Sequence, residues 1–87
     1  MNLQWTDAGW EDYLYWQKEN RKILKRVNEL IKDVSRNNFT GIGKPEPLEG
    51  NWKNYWSRRI DDKHRLVYKI EGGIIIIAQC RSHYDDK

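Results

Sequence analysis

The stretch NRKILKRVNELIKDVSR, residues 20–36, decides how the rest of the chain is read. Ile23, Leu24, Val27, Leu30, Ile31 and Val34 recur at the three- and four-residue spacing of a helix that lays one apolar stripe on a core. The opposite face carries Arg21, Lys22, Lys25, Arg26, Lys32 and Arg36 against only Glu29 and Asp33. Such a helix needs a surface to lie on, and both flanks offer one. Upstream, residues 2–5 alternate polar and apolar over a span suited to an edge strand. Thr6 and Asp7 can cap a helix, and Trp10, Tyr13, Leu14 and Gln17 mark one face of a helix running to about Lys18. Downstream the composition turns to Asn, Gly and Pro, and residues 37–54 read as a loop beyond the roughly 12–15 residues usual in compact domains. Loops of that length tend to be functional or disordered. From Tyr55 the period falls to two, predicting strands at 55–60, 65–70 and 74–82 in an antiparallel meander. The order βααβββ is an α+β fold, an antiparallel sheet with both N-terminal helices packed on one face.

Eighty-seven residues make one domain, 1–87, with Asp85-Asp86-Lys87 reading as a solvated tail. A chain this short buries only about 60–65% of its unfolded surface, so a partner chain would help its stability. The longest purely apolar run, residues 74–78, is far from the roughly twenty residues of a membrane helix. No cationic and apolar leader is visible, and the chain reads as cytoplasmic. One cysteine, Cys80, excludes an internal disulfide. Two histidines, His64 and His83, offer no metal-ligand spacing, and no phosphate-loop or dinucleotide motif occurs, so neither metal nor cofactor is expected. The net charge of +3 conceals segregation: residues 1–19 carry four acids and one base, residues 20–36 six bases and two acids.

The sheet face away from the helices is the expected place for chemistry. Arg58, Arg59, Arg65 and Arg81 fall on its strands. Each alone is ordinary solvated sheet surface; four together suit an anion, because a guanidinium matches phosphate oxygens in pairs. Glu46 alone would be a surface carboxylate, but Pro45 and Pro47 stiffen the chain on both sides of it. A positioned carboxylate near arginines and His83 forms an acid/base set. Cleavage of RNA by internal transesterification needs a base for the 2′-hydroxyl, an acid for the leaving 5′-oxygen and cations for the phosphate. Tyr84, and also Trp52, Tyr55 and Trp56, could stack on an unpaired base, whereas Trp5, Trp10 and Trp16 suit the core or a partner interface. His64, beside a turn with Asp61 and Asp62, reads as structural or solvated.

Five blocks in order, 43–48 (GKPEPL), 56–60 (WSRRI), 64–68 (HRLVY), 80–84 (CRSHY) and the paired segments 12–16 and 28–33, closely resemble the YoeB toxins of the RelE superfamily. The resemblance implies an antitoxin-neutralised mRNA interferase that cleaves translated mRNA in the ribosomal A site, on a βααβββ fold, as a homodimer. It implies Glu46 as general base, His83 as general acid and Arg65 as the group that stabilises the pentacovalent phosphate. Arg59 and Lys44 would then hold the phosphate backbone and Tyr84 would orient the scissile nucleotide. It also implies a YefM-like antitoxin, which should be acidic and partly disordered. The basic face of residues 20–36 offers a docking surface for the ribosome. Arg81 joins Lys44 and Arg59 as a candidate phosphate-binding residue. Two other readings are a ParE-like toxin that binds a protein target without cutting RNA, and a plain basic RNA-binding module.

A shared site makes a geometric demand. Side chains alternate across a strand, so a two-residue turn between residues 65–70 and 74–82 would put Arg65 and His83 on opposite faces. A three-residue loop at Glu71-Gly72-Gly73, or a bulge there, is therefore expected. The loop would pair Ile70 with Ile74 and bring Arg65, Val67, Ile75, Ile77, Arg81 and His83 to one face. Leu66, Tyr68, Ile74, Ile76, Ala78 and Cys80 would face the helices.

Overall fold

The computed structural model describes residues 2–84; the tail at 85–87 lies outside the described residues. Strand β1 (Asn2–Trp5) leads into helix α1 (Asp7–Glu19), and helix α2 (Arg21–Arg36) follows. Strand β2 (Glu46–Pro47), a one-turn 3-10 helix at Gly50–Trp52, and strands β3 (Trp56–Arg59), β4 (Arg65–Glu71) and β5 (Ile74–Gln79) complete the chain. The sheet order is β1-β5-β4-β3-β2. β3, β4 and β5 form the antiparallel meander expected, but β1 runs parallel to β5, so the sheet is mixed. A period of two locates a strand and carries no sign of its direction. The segment 37–54 is also more ordered than a plain loop, since it holds β2 and the 3-10 turn.

Each helix starts on a side-chain cap. Thr6 Oγ1 accepts the Gly9 amide at 3.0 Å and donates to the Ala78 carbonyl at 2.9 Å, which pins the start of α1 to β5. A Cβ at Gly9 would lie 2.5 Å from the Ile77 carbonyl oxygen, so only glycine lets the helix approach this closely. Asn20 does two jobs: its amide donates to the Trp16 carbonyl at the end of α1, and its Oδ1 accepts the Lys22 and Ile23 amides that open α2.

The stripe on α2 behaves as expected. Val27, Leu30 and Val34 are fully buried, and Ile23, Leu24 and Ile31 pack around them against Leu66, Tyr68, Ile75 and Ile77. The inward face of α1 is different from the one expected. Gly9, Asp12 and Trp16 are buried, while Trp10 and Leu14 are exposed. The close approach at Gly9 sets the rotation of the helix: it turns Trp10 outward onto Trp5, while Tyr13 stays half-buried at the edge of the core. Buried Asp12 has a defined use there: its Oδ2 accepts the Cys80 amide at 3.0 Å.

The β4–β5 hairpin overturns the expected loop. Glu71 pairs with Ile74, leaving a two-residue turn in which Gly72 and Gly73 have φ of 56° and 76°. Two successive positive φ values define the type I′ turn, which glycine adopts without strain. Ile75 and Ile77 therefore share the helix side with Ile70 and Tyr68, opposite to the expected assignment, and Ala78 leaves that side. Parity is restored lower down, where the register shifts between Tyr68 and Val67 and Val67 pairs with Gln79. That bulge, and not the loop, supplies the extra residue that a shared face requires. Beyond the helices, Leu48, Val67 and Ala78 form a second apolar cluster flanked by Trp52, Tyr55 and Tyr84. The far face of the sheet is thus partly covered by the segment after β2.

Candidate active site

The segment that delivers Glu46 is held from below by Arg58. This arginine was expected on the far face with the others, and the structure buries it completely on the helix side. Its guanidinium donates to Asp33 Oδ2 and to the carbonyls of Asn37, Thr40 and Ile42, and its Nε donates to the Tyr68 hydroxyl at 3.2 Å. Tyr68 in turn donates to the Asn38 carbonyl at 2.7 Å. Asp33 also accepts the Ile42 amide at 3.1 Å, and the hydrogen bond from Arg58 holds its carboxyl below the usual carboxylate value. Burial raises the Tyr68 phenol above its ordinary value. At Gly41 (φ 110°) a Cβ would lie 2.0 Å from Asp33 Oδ2, so the loop folds this tightly only with glycine there. The amide of Arg59 then donates to the Gly43 carbonyl at 2.7 Å, Lys44 adopts φ 50°, and β2 begins.

Register carries the set across the sheet. Glu46 pairs with Ser57, Ser57 with Val67, and Val67 with Gln79. Arg59 pairs with Arg65. Paired residues share a face and alternate residues return to it, so Glu46, Arg59 and Arg65 emerge on the side of the Leu48–Val67–Ala78 cluster. Tyr84 packs on that cluster, and the His83 ring lies 4.2 Å from the Tyr84 ring. Glu46 and Arg59 are exposed; Arg65 is half-buried and donates to the Asp61 and His64 carbonyls at 2.6 and 3.1 Å. Trp52 and Tyr55 flank the same cluster, whereas Trp56 lies on the helix side against Phe39.

Arg81 does not join this group. Its guanidinium lies 4.2 Å over the Tyr15 ring and 3.5 Å from the Asp12 carboxylate, both on α1. His64 is structural as expected: its Nδ1 accepts the Ser82 amide at 2.7 Å and its ring meets Trp16 edge-on. Two further facts escaped the sequence reading, and one of them was within its reach. Arg58 and Arg59 are adjacent in a strand, so period two forbids both from sharing a face. Asp33, three residues after Leu30, borders the apolar stripe and is the acid available to a cation turned inward. The left-handed Ser82 (φ 65°) had no sequence signal.

Two grooves among the described residues, about 410 and 370 Å³, run past Phe39, Trp56 and Lys69 in one case and Tyr15, His64 and Arg81 in the other. Neither is lined by Glu46, Arg65 or His83. An exposed carboxylate and arginine beside a half-buried arginine and an imidazole–phenol pair suit a polyanionic polymer better than a small molecule that needs enclosure.

Residues 5–84 match the family model of the YoeB-like toxin of bacterial type II toxin-antitoxin systems. Toxin YoeB of Streptomyces coelicolor is 54% identical over 84 residues, covering 97% of this chain and 100% of that protein. Toxin YoeB of Escherichia coli is 52% identical with the same coverage. Among solved structures, the YoeB/ParE toxin from Agrobacterium tumefaciens superposes with a TM-score of 0.94 at 44% identity, covering 97% of this chain and 100% of that one. The toxin of the YoeB-YefM complex from Staphylococcus aureus gives 0.90 at 46%, covering 97% and 98%, and a YoeB dimer from the same organism gives 0.90 at 45% with the same coverage.

Proposed function

The chain belongs to the YoeB-like toxins of bacterial type II toxin-antitoxin systems, and from that premise we propose that it is a ribosome-dependent mRNA interferase. The observation that carries the reading is the row Glu46–Ser57–Val67 beside Arg59–Arg65, with the Tyr84 ring packed on the same cluster and the His83 ring 4.2 Å from that of Tyr84. Glu46 takes the proton from the 2′-hydroxyl, the 2′-oxygen attacks phosphorus, and His83 gives its proton to the departing 5′-oxygen. The products are a 2′,3′-cyclic phosphate and a free 5′-hydroxyl. Arg65 faces the equatorial oxygens of the pentacovalent state, where preorganised charge has its greatest effect. Lys44 and Arg59 hold neighbouring phosphates, and Tyr84 stacks on the scissile nucleotide. Arg81, occupied by Asp12 and Tyr15, is not assigned a role in this scheme.

The carboxylate, the imidazole and the guanidiniums supply acid, base and charge from the chain itself, so activity should survive EDTA. The test is cleavage of translated mRNA in a reconstituted system by the wild type, Glu46→Ala and His83→Ala, each with and without EDTA. Equal cleavage by all three ends the assignment of base and acid. Cleavage lost on chelation ends the metal-independent scheme.

The partners follow the relatives: a YefM-like antitoxin and a second copy of the chain. Trp10, 45% exposed on the half-buried rings of Trp5 and Tyr13 and accompanied by exposed Leu3 and Leu14, supports an interface between copies. Among the described residues no helix is long and apolar enough to cross a membrane.

A further inference from the structure

We propose that His64 is a positioning residue, whose uncharged imidazole holds the Ser82 turn and so sets where His83 and Tyr84 point. The inference rests on the reading of His83 and Tyr84 as site residues. Ser82 has φ 65°, a left-handed conformation that a residue with a side chain keeps only when its surroundings over-determine it. Both of its backbone groups are engaged by one short stretch of chain. The Ser82 amide donates to His64 Nδ1 at 2.7 Å, and the Ser82 carbonyl accepts the Arg65 amide at 3.1 Å. The next two residues are His83 and Tyr84.

A backbone amide can only donate, so Nδ1 must carry the lone pair and the ring proton must sit on Nε2. The ring is kept in that orientation from outside and below. Trp16 meets it edge-on with centroids 4.7 Å apart, and the same indole donates through Nε1 to the Cys80 carbonyl at 2.7 Å. The backbone of His64 is fixed as well: its amide donates to Asp61 Oδ1 at 2.7 Å, and its carbonyl accepts the Ile60 amide and one N–H of Arg65. One side chain thus couples the start of β4, which bears Arg65, to the turn that bears His83.

Protonation would place an N–H against the Ser82 N–H and open the turn. Burial lowers the His64 value from 6.5 and is the largest influence. Lys63 and Arg81 act in the same direction, while Asp61 and Asp12 oppose it. The ring therefore stays neutral at pH 7, and the turn is released only as the pH falls through the lowered value.

The test uses the full chain and two variants: His64→Leu, which keeps bulk and removes the acceptor, and His64→Asn, whose Oδ1 can stand where Nδ1 stands. In the wild type, nitrogen-15 spectra should show Nδ1 unprotonated and Nε2 protonated at pH 7, with the Ser82 amide protected from exchange. In His64→Leu the Ser82 amide should exchange at least roughly tenfold faster and the His83 and Tyr84 ring resonances should shift. Its kcat on translated mRNA should fall roughly tenfold with KM changed by less than about twofold, and His64→Asn should recover most of the loss. The acid limb of wild-type cleavage should begin at the His64 midpoint and move to lower pH in His64→Asn, where protonation of the Glu46 base sets it. A protonated Nδ1 in the wild type, or unchanged Ser82 exchange and His83 and Tyr84 ring resonances in His64→Leu, would overturn the proposal. If His64→Leu does not fold, the wild-type spectra and His64→Asn decide it. Were the wild type itself inert on mRNA, the ribonuclease reading would fail, while the exchange data and ring resonances would still decide the role of His64.

Discussion

Arg58 and Arg59 are neighbours of the same residue type, and the sheet puts them in opposite worlds. Arg58 points to the helix side, is wholly buried, and spends its donors on Asp33, Tyr68 and three loop carbonyls. Arg59 points to the far face and is exposed beside Arg65. The first ties the loop ahead of Glu46 to the fold; the second leaves its charge available to a ligand. The pair teaches that a cluster of arginines in a sequence is two populations, separated by strand parity and by which face finds an acid.

The sharpest way to separate the faces is to mutate one residue on each. Glu46→Ala should lower cleavage of translated mRNA by about 10²–10⁴-fold, with an unchanged melting temperature, because an exposed carboxylate contributes little to folding. Arg58→Met should do the reverse in kind. Removing one partner of a buried pair strands Asp33 and three carbonyls, so denaturant titration should show a loss of about 3–5 kcal/mol. Arg59→Met should remain within about 0.5 kcal/mol of the wild type in the same titration. A large stability loss in Arg59→Met would erase the distinction between the two arginines.

Acid titration sharpens the contrast further. His64 has a folded value below 6.5, so the unfolded chain takes up its proton first and stability falls as the pH drops below 6.5. Asp33 has a folded value below 3.8, so its contribution is present above 3.8 and lost as the pH falls through the lowered value. Equilibrium unfolding against pH should therefore show two separate losses, and His64→Asn should abolish the first alone. The smallest effect belongs to the outward aromatics. Trp10→Ser should move the monomer–dimer balance toward monomer in sedimentation equilibrium while the secondary structure stays unchanged.

Most of the architecture was legible because α2 and the strands are amphipathic in the ordinary way. The 3.6-residue stripe on α2 names the residues that reach the core, and period two locates the meander. The inward face of α1 was only partly legible, since Gly9 decides it by close approach while Trp10 and Leu14 imitate a core face beside Tyr13. The bulge opposite Val67 was foreseen in kind and misplaced, because Gly72-Gly73 serves a two-residue turn as well as a three-residue loop. Glu46, Arg59 and Arg65 were read as one group from residue chemistry, and the register brings them to one face. The ion pair of Arg81 with Asp12 was not legible, since nothing in the spacing of α1 marks Asp12 as a buried position.

Asn20 ends one helix and begins the next without a spare residue. The joint has no slack with which to absorb a change in length. Inserting a single residue there would turn α2 by about 100° about its axis, since a helix completes a turn in roughly 3.6 residues. The apolar stripe would swing off the sheet and a row of lysines would swing onto it. The phase of the second helix, and with it the whole core, is thus set by counting residues through one asparagine.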